Sequence, residues 1–197
     1  MKLRNQLRRL FMIALVSATL MVPAGSFDKA VHMVVATTAT TARQEQADIT
    51  INGFFAADKV RQGRTVQAAI VLDIPAGYHV NAHRPFDKFS IPTVVQLDAS
   101  GVRLSPVSYP RPTVRRLSFS NEPLALYEGR TVLRFNVTVP ANHQTGILEL
   151  KARVSYQRCN DEVCFPPAKR DLTIPLMVVS ARETVKRING EYFGKRK

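Results

Sequence analysis

Apolar and polar residues alternate with a period of two through most of this chain. TVLRFNVTV sets Leu133, Phe135, Val137 and Val139 on one side, and ILELKARVSY sets Leu148, Leu150, Ala152, Val154 and Tyr156 opposite Glu149, Lys151 and Arg153. Such spacing predicts strands with one face buried and the other in water. ADITING, TVQAAIVLDI, TVVQLD, VRLSPVSY and LTIPLMVV have the same character, and Gly, Pro, Asn and Asp punctuate the intervals between them. Roughly seven strands within about 135 residues, with no strong helical period among them, predict an all-β fold, an immunoglobulin-like β-sandwich rather than a parallel α/β sheet. The strand-like character begins near Gln46 and ends near Val179, so residues 46–179 are expected to form one domain.

The pattern breaks at both ends. MKLRNQLRR precedes an uncharged apolar run from Leu10 to Val22, followed by Pro23 and the small residues Ala24, Gly25 and Ser26. A cationic start, a short apolar stretch and small residues predict a secretory signal peptide over residues 1–26. The apolar run is well short of the roughly 20 residues that cross a bilayer, and no cysteine comes after it to carry a lipid. Residues 27–45, with AVHMVVATTATTARQEQ, have neither helical period nor paired turn signals and read as a flexible tether. At the other end, Ser180 and Glu183 are spaced as a capping box, and SARETVKRIN runs to Gly190. That predicts a short basic helix within a C-terminal tail over residues 180–197.

Charge changes this picture little. The chain carries 28 Lys and Arg against 15 Asp and Glu, a formal net charge of +13. Four of those charges, Lys2, Arg4, Arg8 and Arg9, precede any acidic residue, and the remainder of the chain is still strongly basic. The excess suits an anionic partner, but it is spread along the strands without a nucleic-acid motif, so no nucleic-acid binding is expected.

The chemistry is concentrated in SYQRCNDEVCFPPAKR, which holds the only two cysteines, Cys159 and Cys164. An exported protein meets an oxidising compartment, where such a pair closes. Three readings of the pair stand side by side. As a structural bridge it closes a loop of about six residues, for which chain entropy gives roughly 2 kcal/mol, a modest gain beside a bridge between distant strands. As a metal clip it needs further ligands; His79 and His83 in HVNAH, with His32 and His143, are the candidates, but nothing in the spacing gathers them, and no metal or cofactor is expected. As a redox couple it needs a disulfide that a partner thiolate reaches and opens. Asp161 and Glu162 disfavour a thiolate at either cysteine while Arg158, Lys169 and Arg170 favour one, so the attacking thiolate is expected to come from the partner.

YQRCNDEVCFPP, preceded in order by GYHVNAHRPFDKFSIPT, VSYPRP and ALYEG, resembles the N-terminal periplasmic domain of the thiol:disulfide interchange protein DsbD and its stand-alone relatives. The resemblance runs from about Gln46 to Val179. It implies an immunoglobulin-like sandwich in which Cys159 and Cys164 shuttle between dithiol and disulfide. Such a domain takes reducing equivalents from a membrane-embedded or thioredoxin-like thiol reductase and passes them to oxidised periplasmic client proteins, as a monomer. By the same resemblance an aromatic residue on a loop caps the pair, with Phe119 in RLSFSNEP as its counterpart. Tyr78 falls where the family has aromatic residues near the pair, and Tyr156 comes from the motif itself. Cys164 is implied as the residue that forms the intermolecular bond and Cys159 as the one that resolves it. The chain departs from the full-length reductase in two respects: it has no run of transmembrane helices and no thioredoxin-like Cys-x-x-Cys domain, so the reading requires a separate donor. The rival reading is a non-catalytic binding or assembly module with a structural disulfide.

Overall fold

Twelve strands and one short helix make up residues 48–194, the part of the chain that the computed structural model describes. In chain order the strands are β1 Thr50–Phe55, β2 Lys59–Arg61, β3 Thr65–Asp73, β4 His79–Asn81, β5 Val94–Asp98, β6 Arg103–Leu104, β7 Thr113–Arg115, β8 Leu124–Tyr127, β9 Arg130–Thr138, β10 Gly146–Tyr156, β11 Arg158–Cys159 and β12 Ala168–Val179; α1 is Gly190–Phe193. The signal peptide and tether expected over residues 1–45 lie outside the described residues.

The long alternating runs form strands as expected, whereas the short strands β2, β4, β7, β8 and β11, of two to four residues each, carry no such period and are additional to the seven expected. TVQAAIVLD and RTVLRFNVT pair antiparallel over their full lengths, Thr65 opposite Thr138 through Asp73 opposite Arg130, and form the middle of a sheet ordered β1-β3-β9-β6. GILELKARVSY pairs antiparallel with β12, Gly146 opposite Val178 through Tyr156 opposite Ala168, in a second sheet ordered β2-β12-β10-β5. The inward residues of the first sheet, Val66, Ala68, Ile70, Leu72, Leu133, Phe135 and Val137, meet those of the second, Leu148, Leu150, Ala152, Val154, Ile174, Leu176 and Val178, in one continuous core. The outward residues Glu149, Lys151 and Arg153 are exposed. The result is an all-β, immunoglobulin-like sandwich, the fold that the pattern predicts.

A third sheet, β11-β4-β8-β7, extends the sandwich at one end. It splits its residues between two cores. Val80, Ala125 and Tyr127 join the main core, whereas Leu124 and Leu126 form a smaller cluster with Leu117 from the loop between β7 and β8. The short step from β8 into β9 turns at Gly129, whose φ of 56° is in the left-handed region that glycine adopts without steric cost.

The C-terminal helix is present but displaced and shorter than SARETVKRIN suggests. Ser180 and Glu183 make only a turn, with the Glu183 N–H donating to the Ser180 carbonyl at 3.2 Å, and the helix is confined to Gly190–Phe193. The intervening segment is held instead by backbone pairing with residues after β1. Asp58 N–H donates to the Lys186 carbonyl (3.1 Å), Ile188 N–H donates to the Ala56 carbonyl (3.1 Å), and Ala57 bridges Arg187. Asn189 is left-handed at φ 54°, and its Nδ2 donates to the Phe55 carbonyl at 3.0 Å. The Tyr192 ring stacks on Phe54 with centroids 4.4 Å apart. A capping box contributes on the order of 1 kcal/mol, which several long-range hydrogen bonds and an aromatic stack outweigh.

Candidate redox site

Cys159 and Cys164 are joined by a disulfide, and they bound a four-residue turn, Asn160–Val163. Local chemistry shapes that turn. The Asn160 side-chain oxygen accepts from the N–H groups of Glu162 (3.0 Å) and Val163 (2.7 Å), while Asn160 N–H donates to the Val163 carbonyl at 2.9 Å. Asparagine serves here as the side-chain mimic of a turn carbonyl. Beyond the turn, Phe165 N–H donates to the Arg158 carbonyl at 2.8 Å, so the segment on the far side of the bridge runs antiparallel to β11. The two cysteines are not equivalent in exposure: Cys159 is buried at 1%, and Cys164 is exposed.

Strand register sorts the neighbours of the bridge onto two faces. Cys159 pairs with His79 on β4 and with Cys164 on its other side, so His79, Cys159 and Cys164 form one row across three adjacent segments. Residues directly opposite in antiparallel pairs project to the same face. Their chain neighbours Tyr78, Arg158 and Phe165 project to the other face. There the Arg158 guanidinium lies over the Tyr78 ring at 4.9 Å and over the Phe165 ring at 4.6 Å, and the two rings are 6.1 Å apart. Arg158 also pairs with Asp48 at 3.8 Å, and Asp48 holds Arg170 at 2.5 Å. Burial works to raise the Asp48 carboxyl, but the hydrogen bonds from Arg170 and Ile49 and the charges of both arginines hold it below its ordinary value.

The loop between β7 and β8 leans on the cysteine turn. Ser118 Oγ donates to the Asp161 carbonyl at 2.9 Å, and Arg115 reaches Asp161 at 3.1 Å while also holding Glu128 at 2.6 Å. These two carboxylates keep the Arg115 guanidinium protonated beyond its ordinary range. Phe119, next to Ser118 in this loop, is 43% exposed, and Leu117 on its other side is buried in the small leucine cluster. Of the aromatic residues singled out from sequence, Tyr78 lies against the main core and the Arg158 guanidinium, Phe119 sits on the loop that touches the cysteine turn, and Tyr156 is buried in the main core. Tyr156 Oη has no hydrogen-bond partner there, and burial pushes its phenol up.

A model of the family described as "Thiol:disulfide interchange protein DsbD, N-terminal" matches residues 51–175, from within β1 through the cysteine turn and into β12. The chain belongs to the DsbD N-terminal domain family. That family is one of periplasmic domains, and its chemistry is thiol–disulfide exchange, which a closed pair of cysteines with one of them exposed fits. No curated protein matches the chain. Among solved structures, it is similar to the DsbD N-terminal domain of Neisseria meningitidis in the reduced form, at 16% identity over 70% of this chain and 88% of that one, with a TM-score of 0.41. A complex between the DsbD N-terminal and PilB N-terminal domains from Neisseria meningitidis is also similar, at 16% identity, 61% and 81% coverage and a TM-score of 0.38. A type I cohesin from Pseudobacteroides cellulosolvens is similar at 12% identity, 66% and 94% coverage and a TM-score of 0.36.

Sequence reasoning named His79 only as a metal candidate and Arg158 only as a charge near the cysteines, and passed over Arg115, Ser118 and Phe165 as site residues. His83 and His79 do not converge. The His83 ring stacks on Tyr109 at 3.8 Å and its Nδ1 lies 3.1 Å from the Thr93 carbonyl, whereas His79 is in the row with the cysteines. Among the described residues no three His, Cys, Asp or Glu side chains are gathered as a metal site, and no helix is long and apolar enough to cross a membrane.

Proposed function

We propose that the chain is an exported, monomeric thiol:disulfide exchange protein that relays reducing equivalents from a membrane or thioredoxin-like donor to oxidised periplasmic proteins through Cys159 and Cys164. Residues 1–26 serve as its signal peptide, 27–45 as a tether, 46–179 as the working domain and 180–197 as a basic tail. The observation that carries this reading, beside membership of the family, is the unequal exposure of the two cysteines of a closed disulfide. A donor thiolate attacks Cys164 Sγ, the bond between Cys164 and Cys159 breaks, and Cys159 leaves with the electron pair. A second donor thiol, or the donor's own resolving cysteine, then releases the protein as a dithiol, and the same steps in reverse reduce a client disulfide. Phe119 caps the pair until a partner displaces its loop, Tyr78 contributes to the partner-facing rim, and Tyr156 packs beneath.

Equilibration with glutathione redox buffers tests the function. A structural bridge lies below about −300 mV, whereas a couple that exchanges with partners lies above it, among the values of thioredoxin-like proteins. A midpoint above that boundary, with reversible cycling, supports the relay; one below it gives the protein to the structural-disulfide reading. The cap is tested separately. Phe119→Ala is expected to speed reduction of the disulfide by a small dithiol several-fold while leaving the unfolding midpoint nearly unchanged, because a 43% exposed side chain contributes little to the core. An unchanged rate removes Phe119 from the mechanism.

A further inference from the structure

The row His79, Cys159, Cys164 contains one group that the exchange scheme leaves idle. His79 is 1% exposed, and neither ring nitrogen has a hydrogen-bond partner. An imidazole carries one donor and one acceptor when neutral, and leaving both unmet in a buried site costs free energy that native structures seldom accept without a compensating role. Its cross-strand neighbour on β11 is Cys159, whose sulfur is engaged in the disulfide and offers no proton. On the far side β4 adjoins β8, where Val80 opposes Tyr127 and Asn81 opposes Leu126, so His79 comes level with Glu128. The charged groups facing it are Glu128 beyond β8, Asp161 on the cysteine turn and Arg115 on β7, joined to one another as an ion network. Burial lowers the basicity of His79 and so does Arg115, while Glu128 and Asp161 raise it, with burial prevailing. Near pH 7 the ring is therefore held mainly in its neutral form, with one nitrogen unprotonated.

We propose that His79 is the proton partner of Cys159, unpaired while the disulfide is closed and engaged when exchange releases the buried sulfur. This rests on the proposed relay function. When a donor thiolate takes Cys164, Cys159 departs as a thiolate into a buried site, and the ring N–H of His79 donates a hydrogen bond to it. In the step that resolves a mixed disulfide with a partner, the Cys159 thiol gives its proton to the unprotonated ring nitrogen. Its sulfur attacks Cys164 Sγ, the bond from Cys164 to the partner breaks, and the partner leaves as a thiolate. The imidazolium then returns its proton to that thiolate or to solvent. Electrons and protons balance without any further reductant. The ion network of Glu128, Arg115 and Asp161, with one more carboxylate than guanidinium, offsets the transient positive charge.

Three preparations of the full exported protein test this: wild type, His79→Gln and His79→Phe. A mixed disulfide between Cys164 and a small aromatic thiol whose release is coloured reports the resolving step by stopped flow as a function of pH. In wild type the rate is expected to track the titration of His79. Both variants are expected to resolve about 100-fold more slowly, the lower end of general acid–base contributions, and to gain rate with pH only as the Cys159 thiol itself ionises. Equal rates and equal pH profiles in folded variants overturn the inference. Should neither variant fold, the wild-type protein decides alone: the His79 ring titration, monitored by NMR, is expected to shift between the disulfide and dithiol forms, and an identical midpoint in both overturns the proposal. A wild-type midpoint potential below the structural boundary is a separate outcome, which removes the relay function instead.

Discussion

Replacing Cys164 with alanine is expected to abolish capture of a thioredoxin-like partner, whereas replacing Cys159 with alanine is expected to trap that partner as a stable mixed disulfide at Cys164. The expectation comes from access. A thiolate must approach the sulfur it attacks, and only Cys164 is exposed, whereas Cys159 lies buried between β4 and the turn. Without Cys164 the remaining thiol is hidden and no intramolecular disulfide can form, because the chain has no other cysteine, so exchange is expected to fall to background. Without Cys159 the first step still proceeds but nothing resolves the product. Non-reducing gels and mass spectrometry of the trapped adduct read both outcomes. Capture through Cys159 in the Cys164→Ala variant, at the wild-type rate, reverses the assignment of the two roles.

The second large effect concerns stability. Opening the disulfide is expected to cost about 2 kcal/mol at most, since it releases a loop of only about six residues, and to leave the sandwich folded. Leu150→Ala, by contrast, removes a side chain that is 0% exposed between the two main sheets, and large-to-small changes of that kind cost about 2–5 kcal/mol. Urea unfolding of the disulfide form, the dithiol form and the disulfide form of Leu150→Ala compares the two directly. A dithiol form less stable than the core variant means that the bridge holds the fold together, and the fold then cannot survive a cycle of opening and closing. The ordering comes from geometry, because the bridge joins two segments already paired side by side.

Acidification adds a dependence that the imidazole dictates. The native state holds His79 below its ordinary basicity, chiefly by burial, so below the ordinary histidine value the unfolded chain binds a proton that the native chain does not. Stability therefore falls with falling pH from about 6.5 down to the native value and is fully present above that window.

Much of the sandwich was legible because period two is a local signal. Leu133 to Val139 and Leu148 to Tyr156 point inward as their spacing demands, and the same rule places Lys151 and Arg153 outside. Of the site, the part that was legible and is seen in the structure is the cysteine pair, closed as a disulfide. What sequence could not supply was the pairing of β4 with β11: two residues from each strand, 79–80 and 158–159, carry no signal of their mutual register. Without that register His79 looks like half of an HVNAH pair, and the place of Arg158 between the Tyr78 and Phe165 rings is invisible. The tail failed for a related reason. Ser180 and Glu183 make a legitimate helix start in isolation, but the hydrogen bonds that hold Lys186 and Ile188 belong to residues about 130 positions away in sequence.

The returning C-terminal segment has a consequence for how the molecule meets its own kind. β1 ends the first sheet, and a border strand with unanswered amides invites another polypeptide to extend it. Where β1 gives way to β2, that invitation is already taken up from within: the Ala56 carbonyl accepts from Ile188 N–H, Asp58 N–H donates to the Lys186 carbonyl, and the Tyr192 ring covers Phe54. Shortening the protein before Lys186 is expected to uncover a seam where the chain passes from one sheet to the other, and to show as self-association in sedimentation while the Cys159–Cys164 pair still closes.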